Sequence, residues 1–266
     1  MAEHRARKRF GQHFLHDQNV IHRIVNSINP KRDQTIIEIG PGKGALTIPL
    51  LEHLDTLHVI ELDRDLAQAL FEKYEAEKYK VENKIIIHCT DALTYDFKEI
   101  GHQHLRIVGN LPYNISTPLI FHLLEYNHCI DDMLFMLQEE IIDRICASPG
   151  SKDYGRLSVM VQAHCHAEKL FTVGPGAFSP PPKVMSAIIK LKPNEGVLNQ
   201  ISDYPSFAHI VKQAFSQRRK TLRNCMKGAL NENQIINLGI APEVRAETLS
   251  TDNFIQMANA YYKENQ

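Results

Sequence analysis

Residues Asn110-Leu111-Pro112-Tyr113 follow the apolar run Leu105-Arg106-Ile107-Val108-Gly109, which reads as a buried strand. An amide, a carbonyl fixed by the next proline and an aromatic ring at a strand's end can hold a planar amine. The amine of a base such as adenine is a poor nucleophile, because its lone pair is delocalised into the ring. If the Asn110 side-chain oxygen and the Leu111 carbonyl accept its two N–H bonds, the nitrogen shifts toward sp³ and the lone pair turns outward. A sulfonium methyl held in line then completes a near-attack geometry. Tyr113 can stack on the base and fix its plane. Pro112 lacks an N–H and forces Leu111 into an extended conformation. No general base with a shifted pKa is required, because an alkylated amine loses its proton readily.

A second constellation lies upstream. Glu38-Ile39-Gly40-Pro41-Gly42-Lys43-Gly44 falls between a β-branched run and a helical one. Its glycines let a ligand approach the backbone, and a helix N-terminus offers free N–H groups. The spacing Gly40-x-Gly42-x-x-Ala45 suits a dinucleotide's pyrophosphate as well as the amino-acid part of S-adenosylmethionine. Glu61 ends the next strand and can accept hydrogen bonds from both ribose hydroxyls of either cofactor. Asp91, after a third strand, can accept from an adenine amine.

The elements that must position these residues alternate. Helical spacing over Val20–Ile28, with Asp17 as N-cap and Pro30 as stop, precedes a strand at Thr35–Ile39. Helices are expected over Ala45–His53, Asp63–Ala76 and Thr117–Glu125. Strands are expected at Leu57–Asp63, Lys84–His88, the Leu105 run and Met133–Gln138. Apolar strands alternating with helices predict a parallel sheet buried on both faces, an α/β Rossmann-like fold. Ligands of such sheets sit beyond the strands' carboxyl ends, where Gly40, Glu61, Asp91 and Asn110 all fall. After Gly150 the pattern changes. A helix at Arg156–His164 and strands at Glu168–Val173 and Val184–Leu191 are expected. Short helices at Phe207–Phe215, Leu222–Leu230, Asn233–Leu238 and Asp252–Tyr262 follow. The expected division is a catalytic domain over 1–195 and a small all-helical domain over 196–266.

With 266 residues, 43% apolar and 23% charged, the composition is that of an ordinary soluble protein. No apolar run reaches membrane-spanning length. The basic N-terminus lacks the apolar stretch of a signal peptide, and five scattered cysteines suggest no disulfide framework. These features point to the cytoplasm. Net charge is only −1, but Arg5-Ala-Arg-Lys-Arg9 and Arg218-Arg-Lys-Thr-Leu-Arg-Asn-Cys-Met-Lys227 are dense basic clusters, a pattern that can grip a polyanion. Fourteen histidines invite a metal reading, yet His164-Cys165-His166 has no carboxylate or second cysteine at ligand spacing. No metal site is expected.

Longer stretches carry a resemblance over nearly the whole chain. They are Arg7–Leu15 (RKRFGQHFL), the glycine loop, Val59–Asp63, Gly109–Pro118 (GNLPYNISTP), Tyr154–Val159, Phe178–Val184 (FSPPPKV) and Gln217–Thr221. The chain resembles the KsgA/RsmA family, the small-subunit rRNA adenine dimethyltransferases. The glycine loop is common to many methyltransferases; the central and proline-rich stretches are far more specific.

The resemblance implies an S-adenosylmethionine-dependent enzyme that dimethylates two adjacent adenosines near the 3′ end of 16S rRNA. It implies cofactor contacts at His13, Leu15, Gly40, Glu61, Asp91 and Asn110, to which the glycine loop adds Gly42. The family usually has asparagine where this chain has His13. Phe178 matches an aromatic that would line the target-base pocket opposite Tyr113, beside Asn110 and Leu111; its alternative is core packing. Arg7, Lys8, Arg218, Arg219 and Lys220 would contact phosphates without reading sequence. A monomer acting on the small subunit or its precursor is expected. Three rivals are a large-subunit methyltransferase of the macrolide-resistance type, a mainly non-catalytic assembly factor, and a nicotinamide oxidoreductase.

Overall fold

The computed structural model describes residues 13–77, 84–100, 103–217 and 219–266. In chain order the first elements are β1 (Phe14–Leu15), α1 (Gln18–Ile28), β2 (Thr35–Ile39), α2 (Thr47–Leu51), β3 (Thr56–Ile60), α3 (Arg64–Glu77) and β4 (Lys84–His88). There follow β5 (Leu105–Asn110), α4 (Ser116–Leu124), β6 (Ile130–Gln138), α5 (Glu139–Ile145), α6 (Arg156–Gln162), β7 (Cys165–Val173), β8 (Phe178–Ser179) and β9 (Ser186–Pro193). The last are α7 (Glu195–Leu198), α8 (Tyr204–Ala214), α9 (Leu222–Cys225), α10 (Glu232–Asn237) and α11 (Thr251–Glu264).

The chain forms two compact units, residues 1–142 with 168–192 and residues 143–167 with 193–266. The second unit therefore takes in residues 143–167 besides the stretch from Pro193 onward.

The first unit holds a seven-stranded sheet of order β4-β3-β2-β5-β6-β9-β7. The strands from β4 to β6 are parallel, as their alternation with helices requires. The sheet is mixed rather than wholly parallel, because β9 runs antiparallel to β6. Ser186, the first residue of β9, lies opposite Gln138, the last of β6, so the chain re-enters the sheet at the end where β6 leaves it. β2 and β5 are buried on both faces, with Ile36, Ile37, Ile107 and Val108 at most 1% exposed. Gly109 permits their approach: a Cβ there would lie 2.4 Å from the Ile39 carbonyl oxygen. α1 begins on Asp17, whose carboxylate accepts from the Asn19 and Val20 N–H groups, and ends on Asn29 in the left-handed conformation. It buries Ile21, Ile24, Val25 and Ile28, the face its spacing foretold. A two-stranded pairing of β1 with β8 was not legible from periodicity, since each strand is two residues long.

In the second unit α8 packs on α11. Phe207, Ile210 and Val211 of the former and Phe254, Ile255 and Met257 of the latter are buried. Phe215 stacks on Phe254 with ring centroids 5.5 Å apart. The helix expected over Leu222–Leu230 stops at Cys225, and Gly228 adopts φ +88°, a left-handed turn residue. Among the described residues no helix is long and apolar enough to cross a membrane.

Candidate functional site

A cavity opens at the carboxyl ends of β2, β3 and β5. Among its lining residues are His13, Leu15, Gly40, Gly42, Glu61, Asp91, Asn110, Leu111 and Tyr113. The glycine loop, two strand ends and the Asn-Leu-Pro-Tyr turn thus share one wall. Gly40 and Gly42 adopt φ values of +66° and +56°, which side-chain-bearing residues rarely take. The loop therefore needs glycine to turn its backbone toward the space.

Four carboxylate residues line this mostly apolar cavity: Glu38, Glu61, Asp63 and Asp91. Glu61 is 7% exposed; its Oε2 accepts from the Gly42 N–H at 3.3 Å and its Oε1 from the Asp63 N–H at 2.9 Å. Burial raises its pKa, with backbone hydrogen bonds from Asp63, Gly42 and Leu62 opposing that rise and the Asp63 charge adding to it. Glu38 is 2% exposed and accepts from the Thr47 hydroxyl at 2.7 Å. Burial lifts its pKa to about 7, with the Thr47 bond pulling down and the Glu61 charge pushing up. Asp91 is half-buried and accepts from the Leu93 N–H at 2.9 Å, so one oxygen is held in a turn.

These groups discriminate between ligands. Three buried carboxylate residues beside a glycine loop, Glu38, Glu61 and Asp63, suit a cationic ligand bearing a vicinal diol. A pyrophosphate in the same space would meet negative charge.

On the Asn-Leu-Pro-Tyr turn the Asn110 side-chain N–H donates to the His13 backbone carbonyl at 3.2 Å. That leaves Asn110 Oδ1 as the acceptor. Leu111 is buried, its N–H donates to the Met136 carbonyl at 3.2 Å, and its own carbonyl accepts from no described residue. Asn110 and Leu111, adjacent in sequence, both line the cavity. The Tyr113 hydroxyl is 2.8 Å from Ser186 Oγ, and its ring stacks with that of His13 at 5.8 Å. Burial raises the Tyr113 pKa against the Ser186 hydrogen bond, which keeps the phenol neutral.

Phe178 is not brought into this lining. It is 3% exposed, pairs with Leu15 across β8 and β1, and belongs to the core with Ile188 and Val173. Arg219 and Lys220 are exposed residues of the second unit. Arg7, Lys8 and Arg218 lie outside the described residues. Among the described residues no group of three His, Cys, Asp or Glu side chains could hold a metal. Motif reading gave no role to Glu38, which lines the cavity, nor to Thr47 and Ser186, which lie outside the lining and bond Glu38 and Tyr113. Glu38 carried a signal, a lone carboxylate within the apolar run of a strand buried on both faces. Ser186 carried none.

The model of the ribosomal RNA adenine dimethylase family matches residues 3–263. A ribosomal RNA small subunit methyltransferase A of Nitrosococcus oceani is 52% identical over 262 residues, 98% of this chain and 97% of that relative. The protein of the same name from Pseudomonas aeruginosa is 51% identical over 261 residues, 97% of this chain and 96% of its own. Among solved structures, a dimethyladenosine transferase from Plasmodium falciparum superposes with a TM-score of 0.83 at 24% identity, covering 95% of this chain and 98% of that one. The 23S rRNA methyltransferase ErmE superposes with a TM-score of 0.72 at 23% identity, covering 94% and 99%. At such identities the two structures speak for the fold alone.

Proposed function

Because the chain belongs to the ribosomal RNA adenine dimethylase family, we propose that this cavity joins S-adenosylmethionine to adenosine amines of 16S rRNA. The chain is an S-adenosylmethionine-dependent rRNA adenine-N6 methyltransferase. Its substrates are two adjacent adenosines near the 3′ end of the small-subunit RNA. It acts as a monomer in the cytoplasm, on the subunit or its precursor.

The observation that carries the site assignment is the Asn110–His13 hydrogen bond. With Nδ2 engaged, Oδ1 accepts one N–H of the target amine and the Leu111 carbonyl accepts the other. Those two bonds favour a pyramidal nitrogen whose lone pair leaves the ring plane. Tyr113 supplies a neutral face for the base, which must be unstacked to enter. When bound, the cofactor supplies an electrophilic sulfonium methyl. Glu61 accepts from its ribose hydroxyls, Asp91 from its adenine amine, and the Glu38 carboxylate balances its positive charge. Arg219 and Lys220, with Arg7, Lys8 and Arg218, meet backbone phosphates.

Relatives of about half identity carry a small-subunit name, which favours 16S over 23S rRNA. The test is incubation of immature small subunits with labelled S-adenosylmethionine, followed by nucleoside analysis. Dimethyladenosine is the expected product. Its absence overturns the reading.

A further inference from the structure

We propose that the His13 side chain is a positioning residue for the target base: a two-point brace that holds the Tyr113 ring rather than a ligand of the cofactor. The proposal rests on the functional reading above and deepens it. His13 Nδ1 lies 2.8 Å from the Pro180 carbonyl oxygen. A carbonyl only accepts, so Nδ1 must carry the proton. In the neutral ring the lone pair then sits on Nε2. That bond ties the imidazole to the proline-rich segment leading into β9. The same ring stacks on Tyr113, with centroids 5.8 Å apart and planes inclined by 29°, within the range of favourable aromatic pairs.

Tyr113 is thus held at two places by groups distant in sequence. Ser186 Oγ holds its hydroxyl at 2.8 Å, and His13 lies against its ring. Pro180 and Ser186 flank one connection, so brace and hydroxyl anchor share a support. The backbone of His13 does a separate task, since its carbonyl orients the Asn110 amide. Substituting the side chain leaves that carbonyl in place. An asparagine here could reach Pro180 with its N–H but would present no ring. A phenylalanine would present a ring but no donor.

The experiment compares His13→Phe, His13→Asn and His13→Ala with wild type. It reads kcat and KM on immature small subunits, the cofactor dissociation constant by calorimetry, and the imidazole ¹⁵N spectrum of the apo protein. The wild-type His13 ring should show the Nδ1–H tautomer. His13→Phe and His13→Asn should each lose part of kcat, and His13→Ala more than either, about threefold to tenfold in all, the range that aromatic stacking energies convert to. Cofactor affinity should stay within about threefold, since a uniform binding interaction is not what is removed.

An Nε2–H tautomer overturns the brace. So does a single variant already as slow as His13→Ala, or an unchanged kcat in all three. A fall in cofactor affinity in step with kcat would assign the ring to the cofactor. If His13→Ala does not fold, the Phe and Asn variants each still lack one half of the brace, and wild-type rates in both refute the proposal. Inactive wild-type enzyme would instead refute the functional reading, while the tautomer still tests the brace.

Discussion

The Asn110 side-chain N–H is bonded to the His13 backbone carbonyl at 3.2 Å, across 97 residues of sequence. The bond fixes which amide atom faces the cavity, a choice rotation of the side chain would otherwise leave open. Asn110→Ala removes the accepting oxygen while β5 and the Leu111 N–H bond to Met136 persist. The kcat should fall about a hundredfold, the scale for losing one preorganised hydrogen-bonding group at a reacting centre. Small-subunit affinity should change far less. Equal loss of both would make Asn110 structural.

Ser186→Ala leaves the Tyr113 hydroxyl without the partner that it has at 2.8 Å. Loss of one such bond costs about 1 kcal/mol, a fall of a few degrees in Tm for a chain of this size. Because the ring also rests on His13, kcat should drop only severalfold. An unchanged melting curve would show that the bond contributes nothing.

Glu38 provides a pH dependence. Its folded pKa of about 7 lies above the ordinary 4.5, mainly through burial. Between those values the folded state binds more protons than the unfolded one. Its contribution to apo stability is therefore present at low pH and is lost as pH rises through that window. A cationic cofactor reverses the preference, so binding should tighten as pH rises through about 7 and release a proton. Calorimetry in buffers of different ionisation enthalpy measures this. Thr47→Val removes the hydroxyl that lowers the Glu38 pKa, and the midpoint should move upward. Binding that weakens with rising pH contradicts the assignment.

Gly109→Ala places a Cβ 2.4 Å from the Ile39 carbonyl. Backbone is on the other side of that approach, so β2 and β5 must part. Destabilisation of about 3 kcal/mol or more is expected, at the upper end of overpacking costs. A thermal melt within a degree of wild type would refute the close approach.

Arg219→Ala and Lys220→Ala test the exposed basic cluster. Removing one cation that neutralises a phosphate should reduce the salt slope of small-subunit affinity by about 1. Affinity flat between about 50 and 200 mM salt, the span over which several neutralised phosphates have a large effect, would remove these residues from the interface.

Local chemistry made much of the molecule legible. Alternating apolar strands and helices indicated the α/β sheet, because burial on both faces leaves no polar alternation in β2 or β5. Gly40, Glu61, Asp91 and Asn110 were located because such sheets place their ligands at the strands' carboxyl ends, and all four line one cavity. The antiparallel β9 and the two-residue pairing of β1 with β8 were not legible, since neither direction nor pairing of a strand is written in its own periodicity.

The sequence by itself determined which residue types stand at strand ends, because the period of apolar burial is a local property of the chain. Only tertiary structure decided what each of those residues meets. Phe178 is as aromatic as Tyr113, yet its pairing with Leu15 turns it into the core, while Tyr113 lies between His13 and Ser186 at the cavity. Glu38 is an ordinary carboxylate in the chain and titrates near 7 only because folding strips it of water beside Glu61. Pairing, burial and electric field arise between residues far apart in the chain, and they exist only once the backbone has closed around them.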